Sequence, residues 1–216
     1  MSIRTIIADD HKIIRDGLTS LLDNEEDIEV VAQAADGHTA VELVRKMIPD
    51  VVIMDIGMPG LNGIEATRQI TSEIPYIKVV ALSMHSDKKF VTEMLKAGAS
   101  GYLLKNCAFE ELATAIRTVM DGKTYLSPAM AELIVDNYVR KNPGQDDSAF
   151  SVLTNREREV LQLLAESSTT KQAARQLHIS TKTVETHRLK IMKKLNLDNM
   201  VALTKYAVRE GLTSLD

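Results

Sequence analysis

The chain has 216 residues, a formal net charge of −4 at neutral pH, one cysteine and no tryptophan. This length allows one large domain or two small ones. A single cysteine excludes an internal disulfide framework and suits a reducing compartment. The sequence begins without a secretory signal and contains no apolar run of membrane-spanning length, so we expect a soluble, cytoplasmic protein that does not act at a membrane.

The charge is distributed unevenly along the chain. Residues 148–216 carry 11 Lys and Arg against 7 Asp and Glu, a net +4, whereas residues 1–147 carry 15 against 23, a net −8. Random surface charge often produces a difference of this size, so the asymmetry is only a hint. It suggests two domains, of which the second could face nucleic acid.

The first part of the chain alternates short apolar runs with helical patterns. Strands are predicted over residues 3–8, 28–34, 51–54, 77–82 and 101–104, and helices over residues 11–22, 37–48, 63–74, 87–97 and 109–120. Gly98 and Gly122 end the last two of these helices. Five strands that alternate with five helices predict an α/β domain with a doubly wound parallel sheet.

Polar side chains stand at the ends of four of the five predicted strands: Asp9 with Asp10, Asp55, Ser83 and Lys105. In open α/β sheets ligands bind at the carboxyl ends of the strands. Asp55 alone would be interpreted most simply as a cap or turn residue, but the carboxylates at a second strand end favour a binding site. Three carboxylates at one edge repel each other unless a cation is present, and hard oxygen ligands suit Mg²⁺.

The other side chains at this edge indicate the chemistry. A hydroxyl and an ammonium group, from Ser83 and Lys105, are suited to the equatorial oxygens of a phosphoryl group in transfer. An aspartate can act as the nucleophile and form an acyl phosphate. Nearby, His85 is interpreted as a solvated loop histidine rather than a residue that tunes hydrolysis, and Cys107 as a small buried apolar residue.

Residues 124–150 are interpreted as a connection. Ser127-Pro128 predicts the start of a helix over residues 129–139. Residues 141–148 are polar and include Pro143-Gly144, which predicts a flexible tether. We therefore predict a first domain over residues 1–122, a linker with a helix over residues 123–147, and a second domain over residues 148–216.

The last part of the chain predicts an all-α domain with helices over residues 154–165, 170–177, 181–195 and 199–210. Thr154 and Glu157 have the spacing of a capping box, and Gly211 ends the last helix. A tight connection joins the second and third helices. Two helices with such a turn form a helix-turn-helix, whose second member lies in the DNA major groove.

The third of these helices has two distinct faces. Val184, Ile191 and Leu195 share one stripe, which predicts core. The far side, with Glu185 at its margin, carries Lys182, Thr186, Leu189, Lys190 and Lys193. In a lone helix this would be interpreted as a solvated lysine face. The preceding turn and the basic balance favour binding to double-stranded DNA.

Residues 1–122 resemble the receiver domain of a bacterial two-component response regulator, which has a flavodoxin-like fold. The resemblance lies in Asp9-Asp10, in residues 54–59, in Ser83 and in residues 101–105. It implies that Asp55 is the phospho-acceptor and that a sensor histidine kinase is the donor.

The same resemblance assigns roles to the neighbouring residues. Mg²⁺ would be bound by Asp10, Asp55 and the main-chain carbonyl of Gly57, with Asp9 supporting it indirectly. Lys105 would bind the phosphoryl group. Ser83 and Tyr102 would form a switch pair, in which the hydroxyl follows the phosphate inward and the ring rotates into the vacancy. Asn106 stands where many receivers have a cis-proline.

Residues 153–157 and 183–195 are similar to the LuxR-type DNA-binding domain, so the whole chain resembles a NarL/FixJ-type response regulator. This resemblance implies base-facing positions at Glu185, Thr186 and Leu189. It implies phosphate contacts at Lys182, Thr183, Arg188 and Lys193. The chain has Ser167, Thr170 and Ala173 where the family usually has glycine, asparagine and isoleucine.

We therefore expect a phosphorylation-controlled transcription regulator that is a homodimer when phosphorylated. It would not be an enzyme, although a receiver can catalyse its own phosphorylation and slow dephosphorylation. One alternative is a Mg²⁺-dependent aspartyl-phosphate hydrolase, which needs a second Asp two residues after the nucleophile, where this chain has Gly57. Another is a signalling protein that acts by protein contacts only.

Overall fold

The computed structural model of the chain describes residues 2–84, 88–106, 108–128, 130–131, 152–166 and 168–213. Almost all of the described residues up to Ala131 belong to one compact unit, and those from Val152 onward belong to a second. The predicted tether, most of the predicted helix over residues 129–139, and His85, Cys107 and Ser167 lie outside the described residues. None of the helices in the described part of the chain has the length and hydropathy needed to cross a membrane.

The first unit alternates strands with helices throughout its described residues. The strands are β1 Ile3–Ala8, β2 Ile28–Ala34, β3 Val51–Asp55, β4 Lys78–Ser83, β5 Gly101–Leu104 and β6 Tyr125–Leu126. The helices are α1 Lys12–Leu22, α2 Gly37–Met47, α3 Gly63–Glu73, α4 Lys88–Lys96 and α5 Ala108–Met120. The predicted alternation is therefore confirmed.

The strands form one parallel sheet in the order β2-β1-β3-β4-β5-β6. The chain adds β2 on one side of β1 and all later strands on the other, so the direction of winding reverses between β1 and β3. This confirms the doubly wound parallel sheet, and ligands of such sheets bind at the switch point. The end of β1 and the end of β3 lie side by side there, with Ala8 opposite Met54.

The sheet has one strand more than the five that were predicted. β6 is only two residues long, and it lies in the stretch that was interpreted as a connection. Two hydrogen bonds attach it to the β5 region, from Tyr125 N to Ser100 O (3.0 Å) and from Ser127 N to Tyr102 O (3.2 Å). A two-residue strand is too short to show a period in the sequence, so only the tertiary structure reveals it.

The central strand β3 is buried over its whole length, which explains its unbroken apolar run. Ile53 has no exposed surface and packs in one buried cluster with Ile7, Leu103, Leu18 of α1 and Ile116 of α5. Full burial of an aliphatic side chain of this size contributes about 1.5–3 kcal/mol. The residue at the end of β3, Asp55, therefore extends from a tightly packed strand.

The second unit consists of four helices in its described residues: α6 Asn155–Ala165, α7 Thr170–Gln176, α8 Thr181–Leu195 and α9 Met200–Arg209. A polar side chain caps the start of each one, namely Thr154, Thr169, Ser180 and Asn199. The predicted capping box of α6 is present, and α7 begins with a second one. Each such cap contributes about 1 kcal/mol, so the helix starts are encoded locally.

The core of the second unit confirms the predicted inner stripe of α8. Val184 and Ile191 are fully buried, and Leu195 is partly buried against the same cluster. Ala173, which stands where the family usually has isoleucine, is also fully buried in this core. The shorter side chain is therefore accommodated within a regular α7.

Candidate functional site

The sheet brings the predicted strand-end residues to one edge. Asp9 follows β1 and is fully buried, Asp55 ends β3 and is 4% exposed, and Ser83 ends β4 and is 1% exposed. Lys105 follows β5, and its main-chain N–H donates to the carbonyl of Ser83 at 2.8 Å. These residues come from four adjacent strands, and a buried edge of this kind is where an α/β sheet places its chemistry.

Lys105 links the two buried carboxylates. Its Nζ lies 2.6 Å from Asp9 Oδ2 and 2.9 Å from Asp55 Oδ2, and only 8% of its side chain is exposed. Asp9 is held in place by two further contacts, a donation from His11 N to Oδ1 (2.9 Å) and one from Arg15 Nη1 to its carbonyl (2.6 Å). The ammonium group of Lys105 is thus positioned beside Asp55 Oδ2.

The electrostatics of this cluster follow from its burial. Burial raises the pKa of Asp55 to about 6, and the charge of Asp9 adds to this effect, although Lys105 and the N–H of Gly57 oppose it. Burial alone would lower the pKa of Lys105, but the charges of Asp55 and Asp9 outweigh it, so this pKa is raised. The ammonium group therefore stays charged while one of its partners, Asp55, is costly to ionise.

The donor atoms of this edge fit a divalent cation. One ligand atom from each of Asp9, Asp10, His11 and Asp55 lies within 4.8 Å of all the others. Three carboxylates against one ammonium leave an excess of two negative charges. Carboxylate oxygens are hard ligands of the kind that Mg²⁺ prefers, and Mg²⁺ completes its octahedron with water and phosphate oxygens.

Two glycines near Asp55 have opposite surroundings. A Cβ at Gly57 would meet no atom within 4 Å, whereas a Cβ at Gly63 would lie 1.9 Å from the main-chain oxygen of Asp55. Gly63 begins α3, and Asn62 caps that helix by accepting from Glu65 N at 3.0 Å. The sequence indicated only that these residues form an irregular loop; the contact between Gly63 and Asp55 could not be predicted from spacing.

His11 is a member of the site that was not predicted. It is the N-cap of α1 but makes no side-chain capping bond. Its Nδ1 lies 2.8 Å from Asp10 Oδ1 and 3.4 Å from Asp9 Oδ1. The available signal was its position immediately after two aspartates at a strand end.

The predicted switch residues lie on neighbouring strands. Ser83 pairs with Leu104, and Tyr102 pairs with Ala81 two residues earlier along the same strands. Tyr102 has no exposed surface. The Lys105–Asn106 peptide bond is trans, as are the others between described residues.

In the second unit, the predicted DNA-facing residues lie together on α8. Those exposed are Lys182, Thr183, Glu185, Thr186, Leu189, Lys190 and Lys193, whereas Arg188 is half-buried. Leu189 is 63% exposed, unusual for a large aliphatic side chain. Two hydroxyls make local bonds: Thr186 Oγ1 donates to Lys182 O, and Thr183 Oγ1 contacts Ser180 Oγ. The exposed face is a basic one with a single large apolar side chain.

A neighbouring lysine has a different role. Lys194 Nζ lies 2.7 Å from Glu157 Oε2, the carboxylate that also completes the capping box of α6. It therefore joins the last turn of α8 to the first turn of α6. Its ammonium group is therefore engaged within the unit, unlike the exposed Lys182, Lys190 and Lys193.

Both halves of the chain match known families. Residues 5–117 match the family described as the response regulator receiver domain, and residues 151–207 match the bacterial regulatory proteins of the luxR family. The oxygen regulatory protein NreC of Staphylococcus carnosus is 41% identical over 215 residues, which cover 97% of this chain and 99% of that protein.

Solved structures of the same kind are similar to this chain. A LuxR-family two-component response regulator from Aurantimonas sp. is 36% identical, with a TM-score of 0.63, over 65% of this chain and all of that one. An RcsB response regulator solved in complex with DNA is 27% identical, with a TM-score of 0.61, over 97% of this chain and 99% of that one.

The chain thus belongs to the two-component response regulators that join a receiver domain to a LuxR-type DNA-binding domain. It is a transcription regulator of this class.

Proposed function

We propose that this regulator accepts a phosphoryl group on Asp55 from a partner sensor histidine kinase. The observation that carries the proposal is the position of Lys105 Nζ, 2.9 Å from Asp55 Oδ2 at the end of the buried strand β3. An ammonium group at that distance can bind an oxygen of the incoming phosphoryl group without moving far. The Ser83 hydroxyl, at the end of the next strand, would bind a second one.

The cation of this site would be Mg²⁺, held by Asp10, Asp55 and the main-chain carbonyl of Gly57, with Asp9 acting indirectly. Bound there, Mg²⁺ would neutralise charge on the carboxylates and the phosphoryl oxygens. Asp55 attacks phosphorus through a carboxylate oxygen, so the bond from phosphorus to the donor's histidine nitrogen breaks as the acyl phosphate forms. The receiver would catalyse this step on itself and would lose the group slowly to water.

The output would follow from a change in the receiver that Ser83 and Tyr102 transmit. In this structure the ring of Tyr102 is fully buried on β5. Movement of Ser83 toward the phosphate would shift a two-state equilibrium around α4 and β5 rather than act through charge, because added negative charge would only repel DNA. The phosphorylated state would be a homodimer.

The DNA-binding domain, proposed to span residues 148–216 after a receiver over 1–122 and a linker over 123–147, would place α8 in the major groove of double-stranded DNA. Base-facing positions would be Glu185, Thr186 and Leu189. Phosphate contacts would come from Lys182, Thr183, Arg188 and Lys193, and Lys190 would also belong to the DNA-binding surface. Exposure of a large apolar residue beside these cations supports this assignment, since Leu189 suits a thymine methyl group.

Labelling with a small phosphodonor tests the acceptor. Asp55→Asn should abolish acid-labile, base-labile labelling of the full-length protein. Asp10→Ala should also abolish labelling, and added Mg²⁺ should have no effect on this variant. Asp121→Asn removes an exposed carboxylate at the end of α5 and should leave labelling unchanged. Continued labelling of the Asp55→Asn variant would exclude Asp55 as the acceptor.

The structure offers no support for the hydrolase alternative. A hydrolase of this kind needs a general acid two residues after the nucleophile, and position 57 is glycine, although a side chain there would have room. Action through protein contacts only is tested by DNA binding of residues 148–216. Those residues include a hydrophobic core of their own, formed by Leu161, Val184, Ile191 and Leu203 among others.

A further inference from the structure

We propose that His11 is a nitrogen ligand of the cation pocket, and that this nitrogen increases the preference of the pocket for a first-row transition ion such as Co²⁺ over Mg²⁺. This inference rests on the proposed cation site at Asp10 and Asp55. It adds to that site a further ligand and a different class of cation.

Helix capping does not account for a histidine at this position. His11 is the N-cap of α1, where Ser, Thr, Asp and Asn are preferred because their side chains bond the helix N–H groups, yet the imidazole makes no such bond. The ring does not contribute to the core either, since 57% of the side chain is exposed. Its main-chain N–H donates to Asp9 Oδ1 at 2.9 Å, which holds the backbone and directs the ring toward the carboxylates.

The two distances from His11 Nδ1 are close to those between neighbouring ligands of one ion, whereas the set as a whole is slightly wider than an ion would hold it. Nδ1 of His11 lies 2.8 Å from Asp10 Oδ1 and 3.4 Å from Asp9 Oδ1, and the whole set, with Asp55, falls within 4.8 Å. Neighbouring ligands of an octahedral ion with bonds of about 2.1 Å are about 3.0 Å apart, and opposite ones about 4.2 Å. The imidazole is therefore placed where it can replace one of the water ligands.

The charges of the site favour a divalent ion whichever metal is bound. Asp9, Asp10 and Asp55 face a single ammonium group, that of Lys105. A neutral imidazole adds a donor without adding charge. His11 therefore affects which divalent ion binds most tightly. The preference for a divalent charge comes from the carboxylates.

The kind of donor decides that preference. Mg²⁺ takes oxygen ligands and gives up its water reluctantly. Imidazole nitrogen suits the later first-row ions, whose affinity for mixed nitrogen and oxygen sites rises from Mn²⁺ through Co²⁺ to Cu²⁺. Exchange of one water for Nδ1 should thus strengthen Co²⁺ binding and leave Mg²⁺ binding almost unaffected. If His11 instead donated a hydrogen bond to Asp10 from outside the coordination sphere, it would affect every cation alike.

Calorimetric titration of the full-length protein with Co²⁺ and with Mg²⁺ tests the proposal. His11→Ala and His11→Asn should each weaken Co²⁺ binding by at least about tenfold, the lower bound for loss of even an indirect partner of a metal ligand, with little change for Mg²⁺. The visible absorption of bound Co²⁺ should change in both variants as the nitrogen ligand is lost. His38→Ala, an exposed histidine at the start of α2, should alter neither ion.

The outcomes separate this inference from the proposed function. Asparagine is a preferred N-cap, so the His11→Asn variant should fold, and an unchanged unfolding temperature would verify it. Equal weakening of both ions, or no effect on Co²⁺, would overturn the role of His11 while leaving the cation site intact. If Asp10→Ala left the binding of both ions unchanged, the cation site itself would be wrong, and the role of His11 would fall with it.

Discussion

A Cβ atom on Gly63 would lie 1.9 Å from the main-chain oxygen of Asp55 and 2.8 Å from its carbonyl carbon. The first turn of α3 therefore rests directly on the end of β3, and Gly63 N donates to the carbonyl of Ile56 at 3.0 Å. No side chain fits between them. The position of the proposed acceptor thus depends on a residue that has no functional group.

Gly63→Ala should displace either α3 or the Asp55 backbone. Overpacking of this kind costs about 1–3 kcal/mol, which urea unfolding measures, and labelling by a small phosphodonor should slow. Gly57→Ala is the matched control for stability, since a Cβ there meets nothing within 4 Å, and it should leave the free energy of unfolding almost unchanged. A Gly63→Ala protein with wild-type stability and labelling would show that this contact does not position Asp55.

The pKa of Asp55 predicts a pH-dependent stability. Burial is the main reason that this pKa is raised from 3.8 to about 6 in the folded protein. Between these pH values the unfolded chain has lost a proton that the folded chain keeps, so the free energy of unfolding falls as the pH rises. The difference between the two pKa values corresponds to about 3 kcal/mol of stability. This stability is fully present below about pH 4 and fully lost above about pH 6.

Comparison with Asp55→Asn isolates this contribution. In the presence of a chelator, the variant should be more stable than the wild type above pH 6, and the two should converge below pH 4. Urea unfolding across this range measures the gap. Asp121→Asn, with its side chain 68% exposed, should show no such trend. If the difference in free energy of unfolding between Asp55→Asn and the wild type did not vary with pH, burial would not be the cause of the raised pKa of Asp55.

Substitutions on α8 should affect DNA binding in two distinct ways. Glu185 can accept a hydrogen bond from a cytosine amine, so Glu185→Ala should change the preference at one base pair by about 1–3 kcal/mol. Lys193→Ala should weaken binding to all sequences and lower the salt slope by about one. Lys205→Ala removes an exposed charge from α9 instead of α8 and serves as the control. Uniform weakening by both α8 variants would mean that this helix does not read bases.

Coupling between the receiver and DNA binding predicts a response to a phosphate mimic. With Mg²⁺ present, the mimic should raise both the dimer content and the DNA affinity of the full-length protein, as measured by sedimentation and by titration. Tyr102→Ala should still bind the mimic but lose both responses. Leu103→Ala opens a comparable cavity at the adjacent fully buried position and should keep them. Equal DNA affinity with and without the mimic in the wild type would rule out control by phosphorylation.

Much of the architecture was predictable because its signals are local. The buried run of β3, the turn residues after it and the capping residues Thr154 and Ser180 each act within a few positions of the chain. The helical period of the apolar residues, also a local signal, distinguished the inner stripe of α8 from its basic face. The strand-end carboxylates could be recognised because parallel strands bring their ends to one edge.

Local signals in the sequence were therefore sufficient to predict two parts, a parallel sheet and the residue types at its edge. Tertiary structure decided what could not be encoded over a few residues: the pairing of β6 with β5, the placement of Lys105 between Asp9 and Asp55, and the contact of Gly63 with Asp55. The position of His11 Nδ1 beside Asp9 and Asp10 also belongs to this second group. The pairing of β6 and the position of Lys105 depend on segments far apart in sequence, whereas the contacts of Gly63 and His11 depend on the exact path of a loop. These distances are set only when the strands have assembled.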